Sequence, residues 1–522
     1  MRSDVARTLT RRPLLALAAV VLLTGQLAAD SDTRLIQAAK NRDTKTFHQL
    51  LPKADVRVAM PDGTTALHWA AHWNDAEAVQ ALIGAGANVN AANDLGVTPL
   101  GLACTDGGPA VVASLLRAGA NPNTALPSGE SPLMAAARTG QVESVKALLA
   151  HAADVNAREA TRSQTALMWA AAQRHSDVVH VLLEAGADVH TRSATRRRLG
   201  FVAGNRNGTG HNAEGQKRLS VEFEEGGYTA LLFAAQQDDV ESARLLLAAG
   251  ADVNDTAPVG TSALVVAVHS DSAGVASLLL ERGAEPNADR AGYTALHAAV
   301  LRGSAPLVAA LLSRGADPNA RVTKPTPARR YGNEYGFGDN LIGATPLYLA
   351  AKFGEIELMR MLAGAKADAS LPAADGSTPL MMALDTPAVR AGGVDGFGSD
   401  RRDRYGLVHD FTPELLESEA VSIAQAVVGL GGDVNHADAI GNTALHQAAA
   451  KGFNRVIELL VANGAQVNVK NKRGQTPLAL AEGAAAASVA RRRIASGNPA
   501  LASGPPAASP TAALLRKLGA TD

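Results

Sequence analysis

Cysteine is almost absent from this chain of 522 residues: Cys104 is the only one, so no intramolecular disulfide can form. It lies in a stretch of small residues, where a buried and inert thiol is expected. Aromatic residues make up only 3% of the sequence, so a core must come from Ala, Leu and Val. The 49 basic and 50 acidic residues nearly cancel, which gives no electrostatic reason to expect nucleic-acid binding.

Sequence motifs for catalysis and metal binding are missing as well. There is no His-Glu-x-x-His, no paired cysteines and no Gly-x-Ser-x-Gly nucleophile elbow. Glycine clusters occur at 204–210 and 392–398, but neither follows a strand and opens a helix, as a phosphate-binding loop does. We therefore predict no catalytic residue, no cofactor and no metal ligand.

The longest apolar run lies at the amino terminus and is short for a transmembrane helix. It extends from Leu14 to Leu23, follows four arginines and precedes small residues that end at Ala29, which is the layout of a secretory signal. The adjacent Arg11 and Arg12 are compatible with either the general secretory or the twin-arginine route. Residues 1–29 are therefore predicted to be a signal segment, which would anchor the protein in the membrane if it were not cleaved.

A Thr-Ala-Leu or Thr-Pro-Leu element, or a close variant, recurs at intervals of about 33 residues. Such a period indicates one small structural unit that is copied and stacked, so that an elongated binding surface is expected and a deep catalytic pocket is not. The element begins at Thr65, Thr98, Ser131, Thr165, Thr229, Ser262, Thr294, Thr345, Thr378, Thr443 and Thr476.

Each unit carries the residues that a pair of helices needs. The Thr or Ser can cap a first helix, and the Pro that often follows it suits the first helical position. Two residues before the cap the sequence has Gly, except at Ser163, and this position is expected to need a positive φ in a tight turn. An aliphatic second helix follows, as from Val178 to Leu183, and ends at a glycine such as Gly186.

These units resemble the ankyrin repeat. Thr65-Ala66-Leu67-His68 and Thr294-Ala295-Leu296-His297 nearly reproduce the Thr-Pro-Leu-His signature of that family, and Gly250-Ala251-Asp252-Val253-Asn254 reproduces its repeat end. The resemblance implies an all-α fold, a solenoid of helix-turn-helix units with β-turn fingers. It also implies that His68, His297 and His446 connect the turns of adjacent units through hydrogen bonds, rather than binding metal.

The resemblance implies about 12 stacked units over residues 30–495. The first unit, Leu35 to Val58, is degenerate, and the second helix of the last unit is predicted at Ala485 to Ile494. Residues 496–522 form a low-complexity tail in which Thr511 to Leu518 could make a short helix, either docked on the last repeat or frayed.

Three insertions, at about 191–226, 322–342 and 386–413, interrupt the repeat. The resemblance implies that the first two extend fingers beside the concave face, and that the third separates the two helices of one unit at the opposite edge. Long loops on a rigid scaffold often carry function, but they can equally be solvated elaborations without a partner.

Candidate partner-binding residues come from two places. The resemblance implies that the residue after the small-residue stretch of each first helix faces the concave side, where exposed aromatic residues are typical interface anchors. The second insertion adds arginine and aromatic residues. The candidates are Trp73, Gln173, Gln237, Arg302 and Phe353 on the helices, and Arg330, Tyr331, Tyr335 and Phe337 in the insertion. For Trp73 and Phe353 the alternative is packing against a neighbouring finger.

These features together predict a non-enzymatic, monomeric scaffold that binds another protein along the concave face and the fingers. The signal layout, the alanine content and the lack of disulfides favour the periplasm of a Gram-negative bacterium. Two alternatives stay open: a hydrolase or lyase with a site built by the insertions, and a binder of cell-wall glycan or peptide. Convergent polar groups in a pocket between Arg329 and Asp339 would favour an enzyme.

Overall fold

The structure, a computed structural model, describes residues 33–106, 108–201, 220–326, 337, 341–385, 413–484 and 509–521. The predicted signal segment at 1–29 lies outside these residues. By their internal contacts the residues group into two compact units, Met1–Thr195 with Gly226–Asp255, and Arg196–Glu225 with Thr256–Asp522. We call these the first and the second unit of the chain.

The first unit is built of helix pairs, as predicted. The first helices of successive repeats pack on one another, and the second helices form another layer in the same order. The helices are α1 (33–41), α2 (Thr44–Leu50), α3 (Ala66–His72), α4 (Ala76–Gly84), α5 (Pro99–Asp106), α6 (Pro109–Arg117), α7 (Pro132–Thr139), α8 (Val142–Ala150), α9 (Ala166–Ala172), α10 (Ser176–Glu184), α11 (Ala230–Gln237) and α12 (Val240–Ala248).

The second unit repeats this two-layer arrangement and contains a two-stranded sheet of β1 (Thr195–Phe201) and β2 (Ser220–Gly226), of which Thr195 and Gly226 are grouped with the first unit. Its helices are α13 (Ala263–His269), α14 (Ala273–Glu281), α15 (Ala295–Arg302), α16 (Ala305–Ser313), α17 (Pro346–Phe353), α18 (Ile356–Gly364), α19 (Pro379–Leu384), α20 (Pro413–Gly429), α21 (Ala444–Lys451), α22 (Asn454–Ala462), α23 (477–484) and α24 (Pro510–Lys517).

The first helices begin where the repeated Thr or Ser predicts. The Thr345 hydroxyl accepts a hydrogen bond from the Tyr348 N–H at 3.2 Å, and Ser262 does the same for Val265 at 3.2 Å. Each cap satisfies an N–H group that the helix itself leaves without a partner. Alanine pairs such as Ala136 and Ala137 are fully buried between neighbouring helices, because a methyl group lets the backbones approach closely.

The turn before each cap has the positive φ that its glycines predict. Gly129 has φ 82°, and a Cβ there would lie 2.5 Å from the Ala160 nitrogen, so only glycine fits. Ser163, the one exception, adopts φ 53°. The buried Glu159 carboxylate holds that turn by accepting hydrogen bonds from the Thr161, Arg162 and Gln164 N–H groups at 2.6, 2.5 and 3.3 Å.

We expect Ser163→Gly to raise the free energy of unfolding by about 0.5–1 kcal/mol, because a left-handed conformation strains any residue with a Cβ. The reciprocal change Gly129→Ser should lower the free energy of unfolding by more than about 1 kcal/mol, because the added Cβ would clash with the backbone nitrogen of Ala160. Urea unfolding followed by circular dichroism measures both. A loss of stability in Ser163→Gly would contradict the prediction that Ser163 is strained in this turn.

A ladder of asparagines joins successive repeats. The Asn90 side-chain amide donates to the Gly119 carbonyl at 3.0 Å, and its oxygen accepts from the Asn121 N–H at 2.8 Å. One side chain thus binds both a donor and an acceptor of the next repeat and fixes their register. The same two bonds are made by Asn123, Asn156, Asn287, Asn319, Asn435 and Asn468.

The end of the array differs from the sequence prediction. Asn468 makes its two bonds with Gly519 and Thr521, at 3.1 and 2.9 Å, so α24 holds the place of the second helix in the last repeat. Residues 485–494, where the sequence predicts that helix, lie outside the described residues. The contacts of the array extend past the predicted end at 495, as far as α24. The short helix predicted at 511–518 is confirmed, and it is docked on α22.

The insertions are only partly described. The first contains the β1–β2 ribbon, in which Arg198 Nε contacts Glu225 Oε2 at 2.7 Å. The sequence did not predict these strands. The third lies between α19 and α20, the two helices of one repeat, as predicted, and residues 386–412 lie outside the described part.

Candidate interaction surface

The residue eight positions after each cap defines what we call the first-helix face. In the first unit these side chains are exposed, and in the second unit most are half-buried, so the face is more accessible in the first unit. The exposed members are Trp73, Asp106, Thr139, Gln173 and Gln237 in the first unit and Ser270 in the second, and the half-buried ones are Arg302, Phe353, Lys451 and Ala484. The member at position 386 lies outside the described residues.

Trp73 is the most prominent side chain of this face, with 40% of its surface exposed. Its indole N–H donates to the Lys40 carbonyl at 3.0 Å, and the Arg42 guanidinium lies 5.7 Å from the ring centroid. The centroid of the His72 ring lies 4.5 Å from that of the Trp73 ring. Trp73 therefore combines an accessible aromatic surface with a hydrogen bond to α1, the first helix of the preceding repeat, which keeps the ring in one orientation.

The neighbourhood of Trp73 connects three repeats. His72 Nδ1 and Asp106 Oδ2 are 2.7 Å apart and join α3 to α5. Trp69 lies 5.9 Å from the His72 ring, and Lys40 lies 5.1 Å from the Trp69 ring. A similar cation–π contact recurs at Trp169, where the Arg138 guanidinium is 5.4 Å from the ring, so a cation of the preceding repeat covers both half-buried indoles.

The sequence did not predict the side-chain hydrogen bonds that cap the carboxyl-terminal ends of the first helices. The last carbonyls of a short helix have no partner within it. Here side chains of the following repeat donate to them: Trp73 to Lys40, Gln141 to Cys104 at 2.7 Å, His175 to Arg138 at 3.1 Å and Lys451 to Leu384 at 2.5 Å. The donors are four different residue types, so no repeated sequence motif identifies these contacts.

In the second unit the first-helix face carries ion pairs between repeats. Arg302 lies 3.7 Å from Asp271. Lys352 and Lys451 lie on either side of Asp385, with nitrogen–oxygen distances of 3.8 and 3.5 Å. Burial lowers the pKa of Lys451, and the nearby Asp385 carboxylate opposes that shift. These charges serve contacts inside the array, which makes this part of the face less adaptable to a partner.

Phe337, a predicted partner contact, is fully buried. Its ring packs against Tyr293 at 4.6 Å and meets the edge of His297 at 6.1 Å, and its backbone exchanges hydrogen bonds with Thr326. We therefore correct that prediction: Phe337 anchors the second insertion and offers no surface to a partner. The other candidates of this insertion, Arg330, Tyr331 and Tyr335, lie outside the described residues.

The repeated histidines are buried structural groups. His68 Nδ1 accepts from the Thr65 N–H at 3.1 Å, and Nε2 bonds the Val97 carbonyl of the next repeat at 3.0 Å. His297 and His446 make the equivalent bonds, as the resemblance implied. Burial lowers the pKa of all three, to about 4 for His297, so they stay neutral near pH 7.

Exposed fingertips are a second feature that the sequence reasoning passed over. Leu95 has 71% of its surface exposed, and Ile440 and Val259 are exposed to 48% and 39%. Each directly precedes a turn glycine, and this position could have been found in the sequence. Contact with another molecule would remove such an apolar side chain from water, so exposed apolar residues at the fingertips indicate an interaction surface.

The described residues hold no group of three or more His, Cys, Asp or Glu side chains that could bind a metal. Cys104 is fully buried, so the predicted burial of this thiol is confirmed, and burial raises its pKa. None of the helices described is both long enough and apolar enough to span a membrane.

Comparison with known proteins decides the family. The profile named "Ankyrin repeats (3 copies)" matches residues 35–125, 102–193, 231–322 and 416–490, together more than half of the chain. The chain belongs to the ankyrin-repeat family. The array of capped helix pairs and asparagine-linked turns is thus an ankyrin array, and the all-α fold class is confirmed. Proteins of this family are generally protein–protein interaction modules.

Similar curated proteins share only short segments with this ankyrin-repeat chain. Neurogenic locus notch homolog protein 1 of Homo sapiens is 36% identical over 144 residues, which are 27% of this chain and 6% of that protein. Potassium channel AKT1 of Oryza sativa subsp. indica is 39% identical over 67 residues, 13% of this chain and 7% of that protein. This chain therefore spans a small fraction of these relatives, and the likeness concerns the repeats alone.

Proposed function

We propose that this ankyrin array is an exported, non-enzymatic scaffold that binds a partner protein along its first-helix face and fingers in the periplasm. The observation that carries the proposal is the row of exposed side chains on successive first helices of the first unit, with Trp73 at its start. A row held by stacked helices is preformed, so little conformational entropy is lost on binding.

The composition of the face supports a protein partner. Trp73 and the fingertip Leu95 are apolar and exposed. Asp106, Thr139 and Gln173, the members of the first-helix face in the next three repeats, are polar and exposed. Interfaces between proteins combine a few aromatic or apolar anchors with a polar surround in this way. The predicted amino-terminal signal supports export, and mass spectrometry of the mature protein should then find an amino terminus near Asp30.

Site-specific photo-crosslinking tests the proposed surface. We expect a benzoylphenylalanine at Gln173 or Gln237 to crosslink a partner in the periplasm of the source cells. Lys146 is the matched control, because it is also exposed but lies on the second helix α8. Crosslinks from Lys146 and none from Gln173 or Gln237 would place the partner on the other layer.

Replacing Trp73 with alanine should weaken binding of the crosslinked partner by about tenfold or more, the usual effect of removing an aromatic anchor. Because Trp73 also caps α1, the variant must first be shown to keep its unfolding midpoint within a few degrees. Trp169→Ala removes a half-buried tryptophan that does not belong to the first-helix face, and it controls for loss of indole packing. Equal affinities of Trp73→Ala and the unsubstituted protein would remove Trp73 from the interface.

A further inference from the structure

A cavity of about 100 Å³ opens beside Trp73, between the first repeat (α1 and α2) and the next (α3 and α4). Its apolar floor is formed by buried side chains of all four helices, namely Ala38, Phe47, Ala70 and Ala78. A water molecule occupies about 30 Å³ in the liquid, so the cavity can take a group larger than a single water molecule. We call it the Trp73 cavity.

The Trp73 cavity exists because one side chain does not cross the gap between repeats. In two later repeats the residue ten positions after the cap, Gln141 or His175, bonds a carbonyl of the preceding first helix. Here the same position holds Asp75, whose carboxylate instead accepts the N–H of Ala78 in α4 at 3.0 Å. The space between α1 and α3 therefore stays open.

The rim of the cavity carries an excess of negative charge. Three carboxylates line it, those of Asp43, Asp75 and Glu77, against one guanidinium, that of Arg42. Glu77 contacts His48 at 3.5 Å, whereas Asp43 and Asp75 form no ion pair with any described residue. Asp43 and Asp75 are helix caps that each hold an N–H group at 3.0 Å. A carboxylate can accept several hydrogen bonds, so both can still bind a further donor.

The wall formed by Trp73 also suits a cation. The Arg42 guanidinium lies 5.7 Å from the centroid of the ring, so the ring already attracts one positive group. The indole bond to the Lys40 carbonyl holds the ring in place while part of it stays exposed. An apolar floor, an aromatic wall and a negative rim together fit a long side chain with an apolar stem and a positive end.

We propose that the Trp73 cavity takes a lysine or arginine side chain of the partner protein. The stem of this side chain lies on the apolar floor, and its charged end meets Asp43 and Asp75 at the rim. A leucine there would remove these carboxylates from water without a compensating charge, and a glutamate would be repelled by them. This role of the cavity rests on the proposed function, to which it adds the chemistry of the group beside Trp73.

Fluorine NMR of the full-length chain labelled with 5-fluorotryptophan tests the cavity without the partner. The chain has three tryptophans, and Trp73→Phe identifies the signal of Trp73 by its loss. The probes are four capped tripeptides that carry Lys, Arg, Leu or Glu between two glycines. We expect the Lys and Arg peptides to shift the Trp73 signal, with an affinity that falls as salt is added, and the Leu and Glu peptides to leave it in place.

Two double variants test the part played by the rim. Asp43→Asn with Asp75→Asn keeps both helix caps, because asparagine caps a helix as well as aspartate does. We expect this variant to bind the Lys and Arg peptides at least fivefold more weakly. Asp154→Asn with Asp177→Asn is the matched control, since both carboxylates are exposed in the first unit and neither lines the cavity. Circular dichroism checks that all variants are folded.

Three outcomes would overturn the proposal: equal peptide affinities in the two double variants, an equal shift with the Leu peptide, or no shift with the Lys and Arg peptides. Photo-crosslinking at Gln173 and Gln237 does not involve the cavity and tests the proposed function separately. Crosslinks at those positions without peptide binding at Trp73 would reject the basic side chain and keep the proposed surface.

Discussion

Replacing Phe337 with alanine should lower the free energy of unfolding of the second unit by about 3–4 kcal/mol. The ring is fully buried against Tyr293 and His297, and its backbone exchanges two hydrogen bonds with Thr326. Truncation removes the buried apolar area and leaves a cavity beside a buried imidazole. Urea unfolding, followed by circular dichroism, measures the loss.

Phe353→Ala is the matched control for this prediction. Phe353 is only half-buried and lies at the end of α17, so the same truncation should cost about 1–2 kcal/mol. If both variants lost the same free energy, the burial of Phe337 against Tyr293 would be contradicted. A further readout is proteolysis of the 322–342 insertion, which we expect to be faster in Phe337→Ala because its anchor is lost.

The burial of Phe337 determines how a role of the second insertion in binding should be tested. Deleting residues 322–342 would remove Phe337 together with Arg330, Tyr331 and Tyr335, so lost binding could reflect lost packing. Point substitutions of the three latter residues avoid this problem. A loss of partner binding in these variants, with an unchanged unfolding midpoint, would assign the insertion a direct contact.

The repeated parts of the fold were predictable because one local requirement recurs in each unit. A Thr or Ser at a helix start, a glycine at a positive φ and an asparagine at the repeat end each act within a few residues or on the next repeat. Thr345, Gly129 and Asn90 show the three cases. Even Ser163, where the pattern fails, keeps the predicted backbone conformation.

The parts that the sequence did not reveal depend on contacts between distant residues. The sequence predicts the second helix of the last repeat at 485–494, which lies outside the described residues, whereas the contacts that Asn435 makes with Gly464 and Gln466 are made one repeat later by Asn468 with the distant Gly519 and Thr521. The aromatic residues of the second insertion all looked suited to a partner, yet Phe337 is buried against Tyr293, which precedes it by more than one repeat. Composition shows that an aromatic residue is present, and only the packing shows which side of it is covered.

Acidification from pH 6.5 to about pH 4 should destabilise the second unit, by about 3 kcal/mol from His297 alone. Burial lowers the pKa of His297 from 6.5 to about 4, because protonation would charge a buried ring whose Nδ1 accepts the Thr294 N–H at 3.1 Å. An unfolded chain takes up the proton below pH 6.5, while the folded chain resists it. The stabilisation is therefore complete above pH 6.5 and is lost as the pH falls towards 4.

Urea unfolding at half-unit steps between pH 7.5 and pH 4 measures this dependence, with the slope as the readout. We expect His297→Gln to be less stable at pH 7 but to have a flatter pH profile, since the titrating group is gone. His151→Gln, an exposed histidine, should keep the slope of the unsubstituted protein. His446 contributes with the same sign in the second unit, and His68 does so in the first, because burial lowers the pKa of each. A profile that stays as steep in His297→Gln as in His151→Gln would show that His297 is not the buried neutral group on which the turn of the next repeat depends.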